Sequence, residues 1–313
     1  MKGKNFDFKG RDLLTLHDYT PEEIAAILEL AGEFKDKQKR NIPHPHLQGK
    51  TLGMIFHKSS TRTRVSFEVA MYQLGGYPLY LNAGDLQLGR GETVADTARV
   101  LSRYLNGIMI RTYAQADVEE LARYAGIPVI NGLTDLLHPC QILADLLTIK
   151  EWKGRLAGLK LAYVGDGNNV CHSLLIGCAK TGINVSVAST DGYQPREEIV
   201  LIATEDAGGA GSRVEVGTDP VEAVSGADIV VTDVWTGMGQ EAEQAGRKKV
   251  FAPYQVNELL VSHAKPDYIF LHCLPAHRGE EVTDGIIDGP RSAVWDEAEN
   301  RLHTQKAVLA LLL

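Results

Sequence analysis

The sequence predicts an α/β protein of two domains, each a parallel sheet flanked by helices, and three observations predict it. Short apolar runs alternate with amphipathic segments along almost the whole chain, which is the pattern of successive β-α units. The alternation pauses near Lys153-Gly154 and then restarts with a second set of runs. A chain of 313 residues also exceeds what one core usually holds, typical domains being about 100–150 residues.

Thr20-Pro21-Glu22-Glu23 combines an N-cap residue, proline at the first helical position and a capping-box glutamate, so a helix begins there. It carries Ile24, Ile27, Leu28 and Ala31 at helical spacing. The runs TLGMIF, VSFEVAMYQLG, YPLYLN, ETVADTARVLSRYL, GIMIRTY, DVEELARYAG and IPVIN then alternate strand with helix. A helix from about His138, with Ile142, Leu143, Leu146, Leu147 and Ile149 on its apolar positions, ends near Lys153-Gly154 and bridges the halves. Beyond it KLAYVG, NVSVAST, RVEVG, DIVVTDVW and DYIFLH read as strands, with helical segments such as VCHSLLIGCAK and PYQVNELLVSHA between them. The glycine-rich EDAGGAGSR reads as a helix-to-strand loop. The final DEAENRLHTQKAVLALLL has helical character and an apolar end, so it docks onto a domain. The expected division is 1–150 and 151–295, with a helix of about 296–313 packing back on the first domain.

Composition excludes several function classes. The apolar share of 44% and charged share of 23% are ordinary globular values. A formal charge of -8 without a basic run argues against a nucleic-acid partner, so any anion site is local. No apolar stretch approaches the roughly 20 residues that span a bilayer, and the polar start MKGKNFDFKGRD lacks a signal-peptide core. A cytoplasmic protein without a membrane partner is expected. Cys140, Cys171, Cys178 and Cys273 show neither a CxxC pair nor zinc-type spacing, which predicts reduced thiols and no metal.

Chemistry-bearing residues recur where strands end. After TLGMIF come Lys58-Ser59-Ser60-Thr61-Arg62-Thr63-Arg64 and then a helical pattern, so hydroxyls and an arginine sit at a helix N-terminus. Free N–H groups and the helix dipole favour negative charge there, Ser60, Thr61 and Thr63 can donate, and Arg62 can clamp two oxygens at once. Taken alone, such a cluster reads as a capped helix with solvated arginines. Its company favours an anion site, because Arg111 ends GIMIR and His138-Pro139-Cys140-Gln141 follows IPVIN. Three crossings thus place polar groups at carboxyl ends of strands, where open α/β sheets bind ligands. His138 before Pro139 also reads as a helix cap, and the two roles are compatible.

Ser60-Thr61-Arg62-Thr63-Arg64 with Ser66-Phe67-Glu68, the His138-Pro139-Cys140-Gln141 run, and His272-Cys273-Leu274-Pro275 together resemble the ornithine carbamoyltransferase family. The matching order extends over nearly the whole chain. The resemblance implies that Ser60, Thr61, Arg62, Thr63 and Arg111 hold the phosphate of carbamoyl phosphate. It implies that His138 and Arg301 polarise the carbamoyl oxygen, that Gln141 fixes the carbamoyl nitrogen, and that Cys273 and Leu274 complete this site. Arg111, His138, Cys273 and Arg301 are the implied catalytic set. Asn169 and Asp233 would hold the amino-acid end of L-ornithine, with Gly237 and Met238 lining its chain and Cys273 near the reacting amine. Gln87, in Asp85-Leu86-Gln87-Leu88-Gly89, matches a family residue that reaches a neighbouring subunit's site, which implies a homotrimer or a multiple of trimers.

Two positions depart from that pattern. The family commonly has serine before Met238-Gly239, whereas Gly237 has no hydroxyl, which bears on acceptor affinity and identity. His57 stands where an acid usually precedes Lys58, and is expected just outside the site. Putrescine and N-acylated ornithine remain open as acceptors, while aspartate carbamoyltransferases share the first two motifs but lack the His272-Cys273-Leu274-Pro275 run. From another class, Gly165-Asp166-Gly167-Asn168-Asn169 follows a strand, and Asp191 follows the next at the distance of a ribose-binding acid. An NAD-dependent dehydrogenase is therefore the alternative, weakened because Val170 replaces the third glycine of the fingerprint. A non-catalytic anion-binding protein is a further alternative.

The implied reaction is attack of a neutral amine on a carbamoyl carbon, through a tetrahedral species whose oxygen gains charge as phosphate leaves. Donors such as His138, Arg301 and Thr63 would each contribute about 2.7–4 kcal/mol by analogy with other oxyanion holes. Holding two substrates in line supplies roughly 7–11 kcal/mol, so positioning outweighs any single donor. No covalent intermediate, metal or cofactor is required. Cys273 reads equally as a proton relay or as a packed thiol. Because substrate groups come from both halves, closure between domains is expected.

Overall fold

The computed structural model describes residues 6–87, 91–237 and 241–313. The chain divides into two compact units, one running to Ala144 and including Asn300–Leu313, the other Asp145–Glu299.

The first unit holds a four-stranded parallel sheet of β1 (Thr51–Phe56), β2 (Tyr77–Asn82), β3 (Gly107–Arg111) and β4 (Val129–Leu133), in the order β2-β1-β3-β4. The central strands β1 and β3 are buried along their length, which explains why TLGMIF and GIMIR are continuous apolar runs rather than alternating ones. Helices α1 (Pro21–Lys39), α2 (Thr61–Gln73), α3 (Val94–Leu101) and α4 (Gln115–Tyr124) complete the β-α alternation. At the start of α1 the Glu23 N–H donates to Thr20 Oγ1 and the Thr20 N–H to Glu23, so the capping box read from sequence is formed. Ile55, Ile108, Ile110, Val118 and Val129 make one core of this unit. The chain end packs at the base of β3, where a Cβ on Gly107 would come within 2.9 Å of the Leu313 side chain.

The second unit holds β5 (Lys160–Val164), β6 (Asn184–Ala188), β7 (Val214–Gly217), β8 (Ile229–Val231) and β9 (Ile269–Leu271), all parallel, in the order β7-β6-β5-β8-β9. The division between the units falls within α5 (Pro139–Lys153) and within α12 (Val294–Leu312). Between them lie α6 (Asn169–Lys180), α7 (Glu197–Ala210), α8 (Pro220–Val224), α9 (Gln244–Phe251), α10 (Glu258–Val261) and α11 (Asp284–Ile287). Ala162, Val164, Val230, Trp235, Phe251 and Phe270 pack in its core.

Two segments differ from the sequence expectation. Glu205–Ala210 of the glycine-rich stretch is helical, because α7 runs on until Gly211 takes the left-handed conformation, φ 72°, that ends it. PYQVNELLVSHA is not one helix. A 3-10 turn at Ala252–Tyr254 gives way to extended Gln255, Val256 pairs with Val282, and only α10 is helical, capped by Asn257 accepting from the Leu260 N–H. Among the described residues no helix is long and apolar enough to cross a membrane.

Candidate active site

In each sheet the order in which successive strands are added reverses between two adjacent strands, β1/β3 in one and β5/β8 in the other. In open parallel sheets, ligands bind beyond the carboxyl ends of the strands at such a switch point.

In the first unit, α2 starts at this reversal. Ser60 is its N-cap and accepts from the Thr63 N–H at 3.2 Å, a contact worth about 1 kcal/mol to the helix start. Thr61 is exposed, Arg62 half-buried and Thr63 buried. Arg111, at the end of β3, donates from Nη1 to Thr63 Oγ1 at 3.4 Å. Arg301 of α12 donates from Nη2 to the same oxygen at 3.1 Å and from Nη1 to Gln141 Oε1 at 2.7 Å. The Thr63 oxygen is thus occupied as an acceptor, which leaves its own O–H to donate outward. Arg111, His138, Gln141 and Arg301 are all buried. Burial, followed by the charges of Arg301, Arg111 and Arg62, holds the His138 imidazole well below its usual pKa, so it is neutral at pH 7. A neutral ring in the field of three guanidiniums can polarise a carbonyl oxygen without adding a further cation to the cluster.

Lys58 ties the loop before α2 to the loops that follow β3 and β4. Its buried ammonium forms an ion pair with Asp135 and lies 4.2 Å from the Tyr113 ring centroid. Cys140 is a packed thiol, pushed up to about 12 by burial.

In the second unit, Asn168 caps α6, accepting from the N–H groups of Val170 and Cys171, and its Nδ2 donates to Asp233 Oδ2 at 2.7 Å. Asp233 follows β8 and is buried. Its other oxygen accepts from Cys273 Sγ at 3.1 Å. Burial and then the Asp233 charge push the Cys273 thiol well above its ordinary range, so it stays protonated. Ligand atoms of Asp233, His272 and Cys273 lie within 4.8 Å of one another, as do those of His277, Glu280 and Glu281. Leu274 adopts φ 58°, a conformation costly for a leucine, directly after Cys273. Arg247, buried, bonds the Trp235 carbonyl at 2.5 Å and Asp166 at 2.5 Å, fixing the start of the loop that follows Asp233. Gly167 is bare for packing. A Cβ there would meet the Pro195 nitrogen at 2.2 Å, so the close approach of the 193–195 backbone accounts for this glycine without a dinucleotide. Asp191 is exposed and accepts from Gln194.

A model of the aspartate/ornithine carbamoyltransferase carbamoyl-P binding domain matches residues 11–151, and one of the Asp/Orn binding domain matches residues 157–312. The chain belongs to the aspartate/ornithine carbamoyltransferase family. It is 66% identical over 306 residues to an ornithine carbamoyltransferase of Carboxydothermus hydrogenoformans, covering 98% of each chain. It is 63% identical over 304 residues to the anabolic ornithine carbamoyltransferase of Pyrococcus furiosus, covering 97% of this chain and 96% of that one. The solved structure of ornithine carbamoyltransferase from Pyrococcus furiosus matches with a TM-score of 0.96 at 62% identity, covering 98% of both chains.

Within this carbamoyltransferase frame, Thr63, Arg111, Gln141 and Arg301 form one bonded group, with His138 in the field of Arg62, Arg111 and Arg301. Asp233 and Cys273 form a second group in the other unit. Asn169 is the first residue of α6, half-buried beside the cap, and Gly237 is half-buried at the end of the described loop. Gln87 is exposed, and Met238 lies outside the described residues. His57 is half-buried at the end of β1, with burial lowering its pKa. Reasoning from sequence missed the roles of Asn168, Lys58 and Arg247. An N-cap signal marks Asn168, whereas nothing local marks the other two.

Proposed function

We infer that this chain transfers the carbamoyl group of carbamoyl phosphate to the side-chain amine of L-ornithine, giving citrulline and phosphate. The observation that carries this is the meeting of Arg111 and Arg301 on Thr63, beside Gln141 and a neutral His138, in a chain so similar to proteins named ornithine carbamoyltransferase. The first unit takes carbamoyl phosphate through Ser60, Thr61, Arg62, Thr63 and Arg111, with His138 and Arg301 on the carbamoyl oxygen and Gln141 on its nitrogen. The second unit takes ornithine through Asn169, Asp233, Gly237 and Met238, with Cys273 and Leu274 at the reacting groups. Cys273, held as a thiol against Asp233, orients the amine rather than attacking as a thiolate.

The active form is a cytoplasmic homotrimer, or a multiple of it, in which Gln87 completes a neighbour's site. Support comes from β2, an edge strand that exposes Tyr77, Leu79 and Tyr80, next to Tyr72 of α2 at 78% exposure. An apolar edge strand left open invites pairing or covering by another chain.

Phosphate release from carbamoyl phosphate, measured across ornithine, putrescine, N-acetylornithine and aspartate, tests the activity. Release should depend on ornithine. Preference for another amine would reassign the acceptor, and no release with any of them would overturn the reading.

A further inference from the structure

The segment following Cys273 carries donor groups that the transfer reaction does not use. A ring nitrogen of His277, a Glu280 oxygen and a Glu281 oxygen lie within 4.8 Å of one another. Glu281 is fully buried. Its Oε1 accepts from the His277 backbone N–H at 2.5 Å and lies 3.2 Å from His272 Nε2. His272 Nδ1 accepts from the Leu274 N–H, so Nε2 carries the proton that faces Glu281. Both donors go to Oε1. The other oxygen, Oε2, is buried and accepts no hydrogen bond among the described residues, although a buried carboxylate oxygen ordinarily has a partner or an ion. It faces His277 Nδ1 at 3.7 Å, too far for an N–H···O bond. Two donors each about 2.1 Å from one ion stand about 3.4–3.8 Å apart for angles from tetrahedral to roughly 130°.

We propose that His277 Nδ1, Glu280 and Glu281 Oε2 form a binding site for a transition dication of the Zn2+, Co2+ or Ni2+ class. One imidazole and two carboxylates suit such ions. The backbone of His277 and the ring of His272 fix Glu281 through its other oxygen, so this ligand is oriented before the ion arrives. His277 is exposed and gives the ion a route from solvent. The competitor is Lys248, whose Nζ lies 2.6 Å from Glu280 Oε1 with 42% and 26% of the two side chains exposed. So exposed a pair contributes little, and a dication displaces the ammonium. Coordination clamps the segment that leaves β9, and it takes no part in carbamoyl transfer.

Equilibrium dialysis and visible spectroscopy of the metal-stripped full chain with Co2+ test this. The expected result is one bound Co2+ per chain with d–d bands and no thiolate charge-transfer band. His277→Ala and Glu280→Gln should each weaken binding by about tenfold or more. Lys248→Met should strengthen it, because the competing cation is gone, while Cys273→Ser should leave it unchanged. A thiolate band that disappears in Cys273→Ser would move the ion to Asp233, His272 and Cys273 and overturn the proposal. Absence of binding, or binding indifferent to His277→Ala and Lys248→Met, would overturn it equally.

Discussion

At Thr63 two guanidiniums meet on one hydroxyl oxygen, and the neighbouring His138 is kept neutral by burial and by those charges. Neither His138 nor Cys273 therefore titrates between pH 7 and 9, the first held below that window and the second above it. The acceptor does titrate, since a primary alkylamine has a pKa of about 10.4 and its neutral form costs ~4.6 kcal/mol at pH 7. Turnover at subsaturating ornithine should rise with pH from 7 to 9, approaching tenfold per unit at most because the neutral fraction does. The same slope should persist in Cys273→Ser, at a lower rate. A flat wild-type profile would contradict the amine argument, and a slope lost in Cys273→Ser would assign the rise to the thiol. Gly237 offers a second measurement at this scale. Restoring the hydroxyl with Gly237→Ser adds about one hydrogen bond to ornithine, on the order of 0.5–1.5 kcal/mol. The ornithine KM should fall accordingly, and an unchanged or raised value would show that the loop makes no such contact.

At the scale of elements, the cradle proposed for the phosphate draws on three loops, after β1, β3 and β4, and Lys58 joins all three. It leaves β1, pairs with Asp135 beyond β4 and lies over Tyr113 beyond β3, while the Asp135 N–H donates to the Tyr113 carbonyl at 2.8 Å. Lys58→Met should let the loops separate and raise the KM for carbamoyl phosphate by about tenfold, equivalent to ~1.4 kcal/mol, with the ornithine KM little changed. Lys58→Arg should restore most of it. Equal changes in both KM values, or none, would mean that the lysine only stabilises the fold. This staple also shows what sequence can and cannot reveal. Strands and caps were legible because their causes are local, apolar runs in β1 and β3 and a cap residue three positions before its N–H partner at Thr20 and Ser60. The glycine-rich end of α7 was misread because composition argued for a loop, whereas the helix runs on to a glycine cap. Thr63 and Arg301 are 238 residues apart in sequence, so no spacing announces their bond, and only the family resemblance linked them. Lys58 and Arg247 act through partners from other loops, and nothing in their own neighbourhoods marks them.

At the scale of the whole molecule, the role proposed for Gln87 requires a second chain. It is exposed on a loop beyond β2, in the same unit as Thr63, Arg111 and Arg301, and in the proposed trimer it would complete a neighbour's site. Isologous pairing would close a dimer after one contact, whereas a head-to-tail contact that hands one residue to the next subunit gives a ring when its rotation closes. A ring with shared sites makes a prediction that a self-sufficient chain does not. In such a ring Gln87→Ala would leave every site short of its neighbour's residue, and Arg301→Ala would leave every site short of its own guanidinium, so each homo-oligomer should be nearly inactive. When the two are dissociated, mixed in equal amounts and reassembled, a Gln87→Ala chain that receives Gln87 from an Arg301→Ala neighbour regains an intact site. For random cyclic mixing roughly one site in four should recover, to be read as ornithine-dependent phosphate release. Recovery well above the sum of the separate variants, in particles of trimer mass, fits shared sites. No recovery, from reassembled particles of that mass, would mean that Gln87 acts within its own chain or not at all.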